Sequence, residues 1–319
     1  MQDRMQSDSK LLGLAYKVVF GTLFPVFKFA SRTFKRRKRG HEIADQIMTA
    51  FMELRPKYLD AVKGNVAQVL GLKITNPLVD ATARKVVRNH AYSWVDFFCF
   101  AQRPPAEALE LVRSAPSFSN LERVVAEGKG GILLTAHAGN YELGGILLRS
   151  KNLPVHAVYK PDRFEAVERL RGDMRAAGGV VGIPVDGVGF STLPLVKVLR
   201  EGKLVGMQGD RDFSRNGVKI PFFGRDAFFP RGPWELAAMT GAPILCGLFF
   251  MDAEQGFHAI FAEPITIRAA RGERMKEIEV AMRRYVSMLE DFIRAHPDQW
   301  YCFYPFWDDP MREPNDEKS

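Results

Sequence analysis

A run of apolar residues ends in a histidine at Gly131-Ile132-Leu133-Leu134-Thr135-Ala136-His137, and Ala138-Gly139-Asn140-Tyr141-Glu142 follows it directly. A strand ending in an imidazole, a Gly-Asn turn, and a helix with an acid in its first turn make a compact general base. On a continuous helix His137 and Glu142 would sit about 140° apart and share no face. With His137 on the turn and Glu142 in the first helical turn, the carboxylate is expected to hold the imidazole tautomer and stabilise the imidazolium. Asn140 is placed to cap the helix. Neither a Gly-x-Ser-x-Gly elbow nor a neighbouring cysteine supplies a nucleophile. The chemistry expected is attack by a substrate hydroxyl with His137 as base. Backbone N–H groups around Gly139 and Asn140, or a nearby arginine, would stabilise the oxyanion.

A second cluster, Gly209-Asp210-Arg211-Asp212-Phe213, follows the apolar stretch Leu204–Met207. Arg211 can clamp a phosphate or carboxylate through two N–H groups, or the cluster can be a solvated loop with internal ion pairs. A third interleaves aromatics and cations: Phe222-Phe223-Gly224-Arg225, then Phe228-Phe229-Pro230-Arg231. That suits an amphiphile, with Phe222, Phe223, Phe228 and Phe229 lining an acyl groove. It suits stacked nucleotides as well, or a structured hairpin. Tyr159-Lys160-Pro161-Asp162-Arg163 closes another strand and would aim Lys160 and Arg163 at the same crevice. His90 falls on a helix among apolar neighbours, and no pair of histidines has metal-ligand spacing, so neither a metal nor another cofactor is expected.

The elements that must position these residues follow from periodicity. Strands are expected at 131–136, 155–159, 180–185, 203–207, 244–250 and near 257–262. Helices are expected at 119–128, 141–151, 163–177, 189–201, 231–240 and 272–296, with more over 41–101. Strands alternating with helices imply an α/β fold, a mostly parallel central sheet flanked by helices. In open sheets of this kind ligands sit at the carboxyl ends of the strands, where His137, Asp210 and Lys160 fall. We expect an α/β domain with a helical cap over 41–307 and a polar tail over 308–319.

Residues 1–40 read differently. Leu11–Phe34 is apolar but interrupted by Lys17, Pro25 and Lys28, and the basic run Lys35–Arg39 follows. This fits a membrane-associating segment lying in the interface better than a clean span. An amphipathic helix on the protein's own core is the alternative. If the segment spans, the basic cluster keeps the remainder in the cytoplasm. The 319-residue chain carries a net charge of +8, which suits an anionic membrane surface, an acidic protein or nucleic acid. No familiar nucleic-acid motif accompanies the charge, and we expect no such partner. Cys99, Cys246 and Cys302 are widely spaced and read as reduced core residues.

The chain resembles the lipid A late acyltransferases, within the glycerolipid and lysophospholipid acyltransferase superfamily. Thr135–Glu142, Tyr159-Lys160-Pro161, Gly209–Asp212, Phe222–Arg225, Pro230–Pro233, Thr240–Pro243 and Pro297–Trp300 carry the resemblance, in the family's order. It implies transfer of an acyl group from acyl carrier protein or acyl-CoA to a membrane-lipid hydroxyl, at the cytoplasmic face of a bacterial inner membrane. It implies His137 as base with Glu142 as its partner, and an acceptor or phosphate site shaped by Asp210 and Arg211. Asn140, Lys160, Arg163, Asp212, Phe223, Arg225 and Arg231 complete the expected substrate-binding set. One departure bears on the acceptor. After Gln299-Trp300, where many lipid A enzymes carry a Trp and a basic pair, this chain reads Tyr301-Cys302-Phe303-Tyr304-Pro305-Phe306-Trp307-Asp308. A less charged acceptor, such as an aryl polyene, an ornithine lipid or another glycolipid, is the alternative to a lipid A precursor. A thioesterase and a non-catalytic lipid or carrier-protein binder are the remaining rivals.

Overall fold

A seven-stranded sheet in the order β1-β9-β8-β2-β5-β3-β4 forms the centre of the molecule. Its strands are β1 (Val112–Ser114), β2 (Gly131–Thr135), β3 (Val155–Tyr159), β4 (Val181–Pro184), β5 (Leu204–Gln208), β8 (Ile244–Met251) and β9 (Phe257–Phe261). The computed structural model describes residues 37–54, 56–101, 103–162, 165–185, 192–213, 215–268 and 272–308. β2 pairs in parallel with both β5 and β8, and β3 pairs in parallel with β5 and β4. β9 turns back antiparallel to β8. The mostly parallel sheet is therefore as expected, and the six anticipated strands stand within two residues of their predicted ends. Three-residue β1 lies below the length at which periodicity is readable.

Alternation along the strands divides the core into two layers. Ile132 and Leu134 of β2 pack with Leu195 and Leu199 of α8 (Leu193–Arg200), Ala237 of α9 (Gly232–Thr240), and Met282 and Leu289 of α10 (Arg274–Ala295). Leu133 faces the other way. On that side lie Leu143, Ile146 and Leu147 of α6 (Tyr141–Ser150), Leu121 of α5 (Phe118–Ala126), and Leu170 and Met174 of α7 (Glu165–Ala177). The helical cap consists of α1 (Arg37–Leu54), α2 (Pro56–Leu70) and α3 (Pro77–Ala101), which share the core of Met52, Leu59, Val62, Val79 and Val87. Short α4 (Pro105–Leu109) leads from the cap into β1.

Of the expected membrane-associating segment 1–40, residues 1–36 lie outside the described residues, while 37–40 open helix α1, where Arg37 pairs with buried Asp96. Among the described residues no helix is long and apolar enough to cross a membrane. Cys99, Cys246 and Cys302 are free and buried.

The aromatic-basic stretch forms an antiparallel hairpin, β6 (Val218–Phe222) and β7 (Arg225–Phe229). Its two-residue loop is Phe223-Gly224, both with positive φ (50° and 77°), the backbone a right-twisted hairpin requires. Phe222 and Phe229 are fully buried and pack against Trp300, Phe306 and Trp307. This corrects the acyl-groove expectation. Phe222, Phe223 and Phe229 build a core beneath the hairpin, because every second residue of β6 and β7 must be covered.

Candidate active site

The register between β2 and β5 positions the site. Thr135 stands opposite Gln208 in a parallel pair with no bulge. Two residues further along each chain, His137 is therefore brought beside Asp210, and the N–H of Gly209 donating to the carbonyl of Thr135 (2.8 Å) continues the pairing past the strand ends. The imidazole Nδ1 lies 2.7 Å from Asp210 Oδ1, and the backbone N–H of His137 donates to the same oxygen at 3.0 Å. Trp300 Nε1–H donates to Oδ2 at 3.2 Å. A carboxylate can only accept, so the ring proton sits on Nδ1 and the lone pair on Nε2. Among the described residues Nε2 has no protein partner, and the ring lines a large cavity.

The expected contact between Glu142 and the imidazole is not formed. Glu142 faces α7, where it accepts from Arg175 (2.6 and 3.1 Å) and Arg171 (3.3 Å). The physical reason is direction. Glu142 lies in the first turn of α6 and turns towards the neighbouring helix, whereas the strand register has already placed another carboxylate against the ring. Burial alone would raise the Glu142 pKa, but the guanidiniums, Arg175 ahead of Arg171, outweigh it and hold the acid ionised. Asp210 is likewise held below the usual carboxylate range, its burial outweighed by His137 and then Arg211. Burial, followed by the charge of Arg211, depresses His137, and Asp210 opposes both. The net effect keeps the imidazole neutral, as a base must be.

The segment after α10 clamps the turn. Gly139 N–H donates to the carbonyl of Gln299 (2.8 Å), and Tyr301 N–H to the carbonyl of His137 (2.8 Å). Asn140 N–H donates to the carbonyl of Phe249 (2.6 Å). These bonds occupy both backbone donors expected at an oxyanion, so neither Gly139 nor Asn140 is free to serve there. Asn140 caps α6 as anticipated, accepting from Leu143 N–H at 3.4 Å, and its amide donates to buried Asp96 (3.2 Å), away from the cavity. Gly139 has φ 62°, and a Cβ there would come within 2.1 Å of the Phe249 carbonyl oxygen. Gly139→Ala is accordingly expected to displace the turn and leave a poorly active, destabilised protein. Wild-type turnover and thermal stability in that variant would remove the turn from the account.

The cavity of about 1360 Å³ runs from the helical cap to the sheet. Leu133, Thr135 and His137 line it, the same alternate face of β2 carried one step past its end, with Phe249 and Phe261 from the neighbouring strands. From the cap come Met48, Phe51 and Trp94. Its polar lining includes Lys160, Arg211 and the Glu142 carboxylate with its partners Arg171 and Arg175. Lys160 lies 5.5 Å over the ring of Phe213, which meets His137 edge-on. Of the expected binding residues, Lys160 and Arg211 thus reach the cavity, and Asp210 acts on the imidazole behind it. Arg163 lies outside the described residues. Asp212 closes its own loop by accepting from Gly217 N–H. Phe223 holds the hairpin turn under Arg294, Arg225 pairs with Asp308, and Arg231 pairs with Glu235 one helical turn on. These three do not line the cavity. Arg171, Arg175 and His90, which do, were passed over because a single charge or imidazole on a helix carries no signal of where it points.

The profile described as bacterial lipid A biosynthesis acyltransferase matches residues 21–308 of this chain. The chain belongs to that family. Membership makes the protein an acyltransferase of lipid metabolism, acting on a lipid or glycolipid acceptor. Among its relatives is a phosphatidylinositol mannoside acyltransferase of Mycobacterium tuberculosis (strain CDC 1551 / Oshkosh), 25% identical over 254 residues, or 78% of this chain and 77% of the relative. Its counterpart in Mycolicibacterium smegmatis is 23% identical over 259 residues, 78% and 79% of the two chains. A lipid A biosynthesis acyltransferase of Haemophilus influenzae is 24% identical over 183 residues, 57% of this acyltransferase and 54% of its own chain.

Proposed function

We propose that this acyltransferase moves a fatty acyl group from a thioester, on acyl carrier protein or coenzyme A, to a hydroxyl of a glycolipid. The observation that carries the proposal is the His137–Asp210 pair opening on an apolar cavity with a cationic wall. Nε2 of His137 takes the proton of the acceptor hydroxyl as its oxygen bonds to the thioester carbonyl carbon. The tetrahedral intermediate collapses with cleavage of the C–S bond, and the departing thiolate takes the proton from the imidazolium. Asp210 stabilises that imidazolium and keeps Nδ1 protonated between steps, the role of the acid in a catalytic triad.

Two features support the substrate classes. A cavity of about 1360 Å³ exceeds the roughly 300–1,000 Å³ typical for a drug-sized ligand, which suits a fatty chain and a second substrate together. The guanidiniums and Lys160 suit an anionic group, such as the phosphate of a pantetheine arm or of a phospholipid acceptor. The relatives named for a phosphatidylinositol mannoside favour another glycolipid as acceptor over a lipid A precursor, as does the lack of a basic pair in the stretch after Gln299-Trp300. A basic chain acting on lipid would work at an anionic membrane surface, which we place at the cytoplasmic face of the inner membrane.

The test is transfer from a labelled acyl thioester with and without acceptor, beside mass spectrometry of lipids from cells with and without an active copy. One lipid is expected to gain an acyl mass, and His137→Ala to lose nearly all transfer while remaining folded. Full transfer by a folded His137→Ala would refute the base assignment. Rapid release of free fatty acid without acceptor would instead identify a thioesterase.

A further inference from the structure

We propose that His90 is a catalytic hydrogen-bond donor, its neutral Nδ1–H directed to the thioester carbonyl oxygen as that oxygen becomes an oxyanion. This rests on the acyl-transfer reading and adds a residue to it. His90 stands on α3 and lines the same cavity as His137 and Arg211. Trp94, one turn further along the helix, donates its indole N–H to His90 Nε2 at 3.2 Å. An indole nitrogen can only donate, so Nε2 must carry the lone pair and the neutral ring must carry its proton on Nδ1. The ring is held in place by Tyr301 and Phe303, with centroids at 5.1 and 4.8 Å.

The state of the ring excludes other roles. Burial pushes its pKa down to about 3, assisted by the charges of Arg211, His137 and Arg171. The ring is therefore uncharged throughout the working range, and its lone pair is already used by Trp94. It can act neither as a base nor as a cation. What remains is a single N–H donor, which has no protein acceptor among the described residues. Because the ring lines the cavity, a ligand oxygen there is the acceptor that such a donor would meet.

The reaction needs such a donor. The backbone N–H groups of Gly139 and Asn140 are both engaged, leaving side chains to meet the oxyanion. Arg211 is one, and His90 lines the same cavity beside it and His137. A neutral donor of fixed tautomer adds a directed hydrogen bond with no charge that would oppose protonation of His137. A depressed, neutral histidine polarising a carbonyl is an established catalytic device.

The experiment compares His90→Phe, His90→Asn and Trp94→Phe with the wild-type enzyme, alongside 15N spectra of histidine-labelled protein. His90→Phe is expected to lower kcat about 10²–10³-fold, the usual cost of one oxyanion donor, with little change in KM or in the acidic limb of the pH profile. His90→Asn, whose amide can place an N–H near Nδ1, should recover part of that loss. The wild-type spectrum should show the His90 ring, assigned by the signals lost in His90→Phe, neutral at all working pH values with its proton on Nδ1. Trp94→Phe should populate the other tautomer and reduce kcat. A folded His90→Phe at wild-type kcat overturns the assignment, as does a His90 ring protonated on Nε2. Should His90→Phe fail to fold, His90→Asn at or below one-thousandth of wild-type kcat would overturn it too. A wild-type enzyme inert towards thioesters overturns the acyl-transfer reading and this role together, whereas turnover unaffected at position 90 overturns this role alone.

Discussion

Asp210→Asn is expected to cut turnover about 10⁴-fold, the loss seen when the acid of a catalytic triad becomes an amide. Three hydrogen bonds converge on this carboxylate, from the His137 ring, the His137 backbone and the Trp300 indole. An asparagine can keep one oxygen as acceptor but must present an NH2 group to another donor. The ring can escape that clash by moving its proton to Nε2, which removes the lone pair needed for catalysis. The pH profile supplies a sign. His137 is held below its ordinary pKa by burial and Arg211, and Asp210 opposes both. Loss of the carboxylate lets the pKa fall further. The acidic limb of kcat/KM should therefore move to lower pH in the variant while its plateau collapses. A variant with an unchanged plateau, or with the limb moved to higher pH, would show that Asp210 does not act through the imidazole.

The two halves of this dyad were unequally legible in sequence. The strand ending in His137 announces itself, and so does the strand before Asp210. What links them is lateral register, Thr135 opposite Gln208, and register between strands over seventy residues apart leaves no mark in either segment. Glu142, five residues from His137, was the nearer candidate only along the chain. The same distinction explains the hairpin. Phe222, Phe223 and Phe229 among arginines fit an acyl groove and a buried turret equally well until Trp300 and Trp307 are seen beneath them. The fold was easier, because alternating strands and helices need only local periodicity. The cap's share in the cavity was not readable, since helices α1 and α3 show apolar stripes whether they cover a core or a ligand.

Glu142→Gln is expected to act on stability before chemistry, which separates it from Asp210→Asn. The carboxylate answers two guanidiniums, and the Arg175 side chain is only 4% exposed. Removing one partner of a buried ion pair typically costs about 3–5 kcal/mol, because the remaining charge stays desolvated. Gln keeps the shape but returns no charge, so α6 and α7 lose their main polar connection while His137 keeps Asp210. The thermal midpoint should fall by several degrees or more, whereas folded protein assayed at low temperature should retain the wild-type acidic limb. The wild-type pair also carries a pH signature. Because the folded Glu142 pKa lies below its ordinary value of 4.5, its contribution is complete above that pH and is lost as pH falls through the folded pKa. The acid sensitivity of the wild-type melting temperature in this window should be smaller in Glu142→Gln. A variant that melts like wild type yet shifts the acidic limb would place Glu142 on the imidazole after all, where its position in the sequence first suggested.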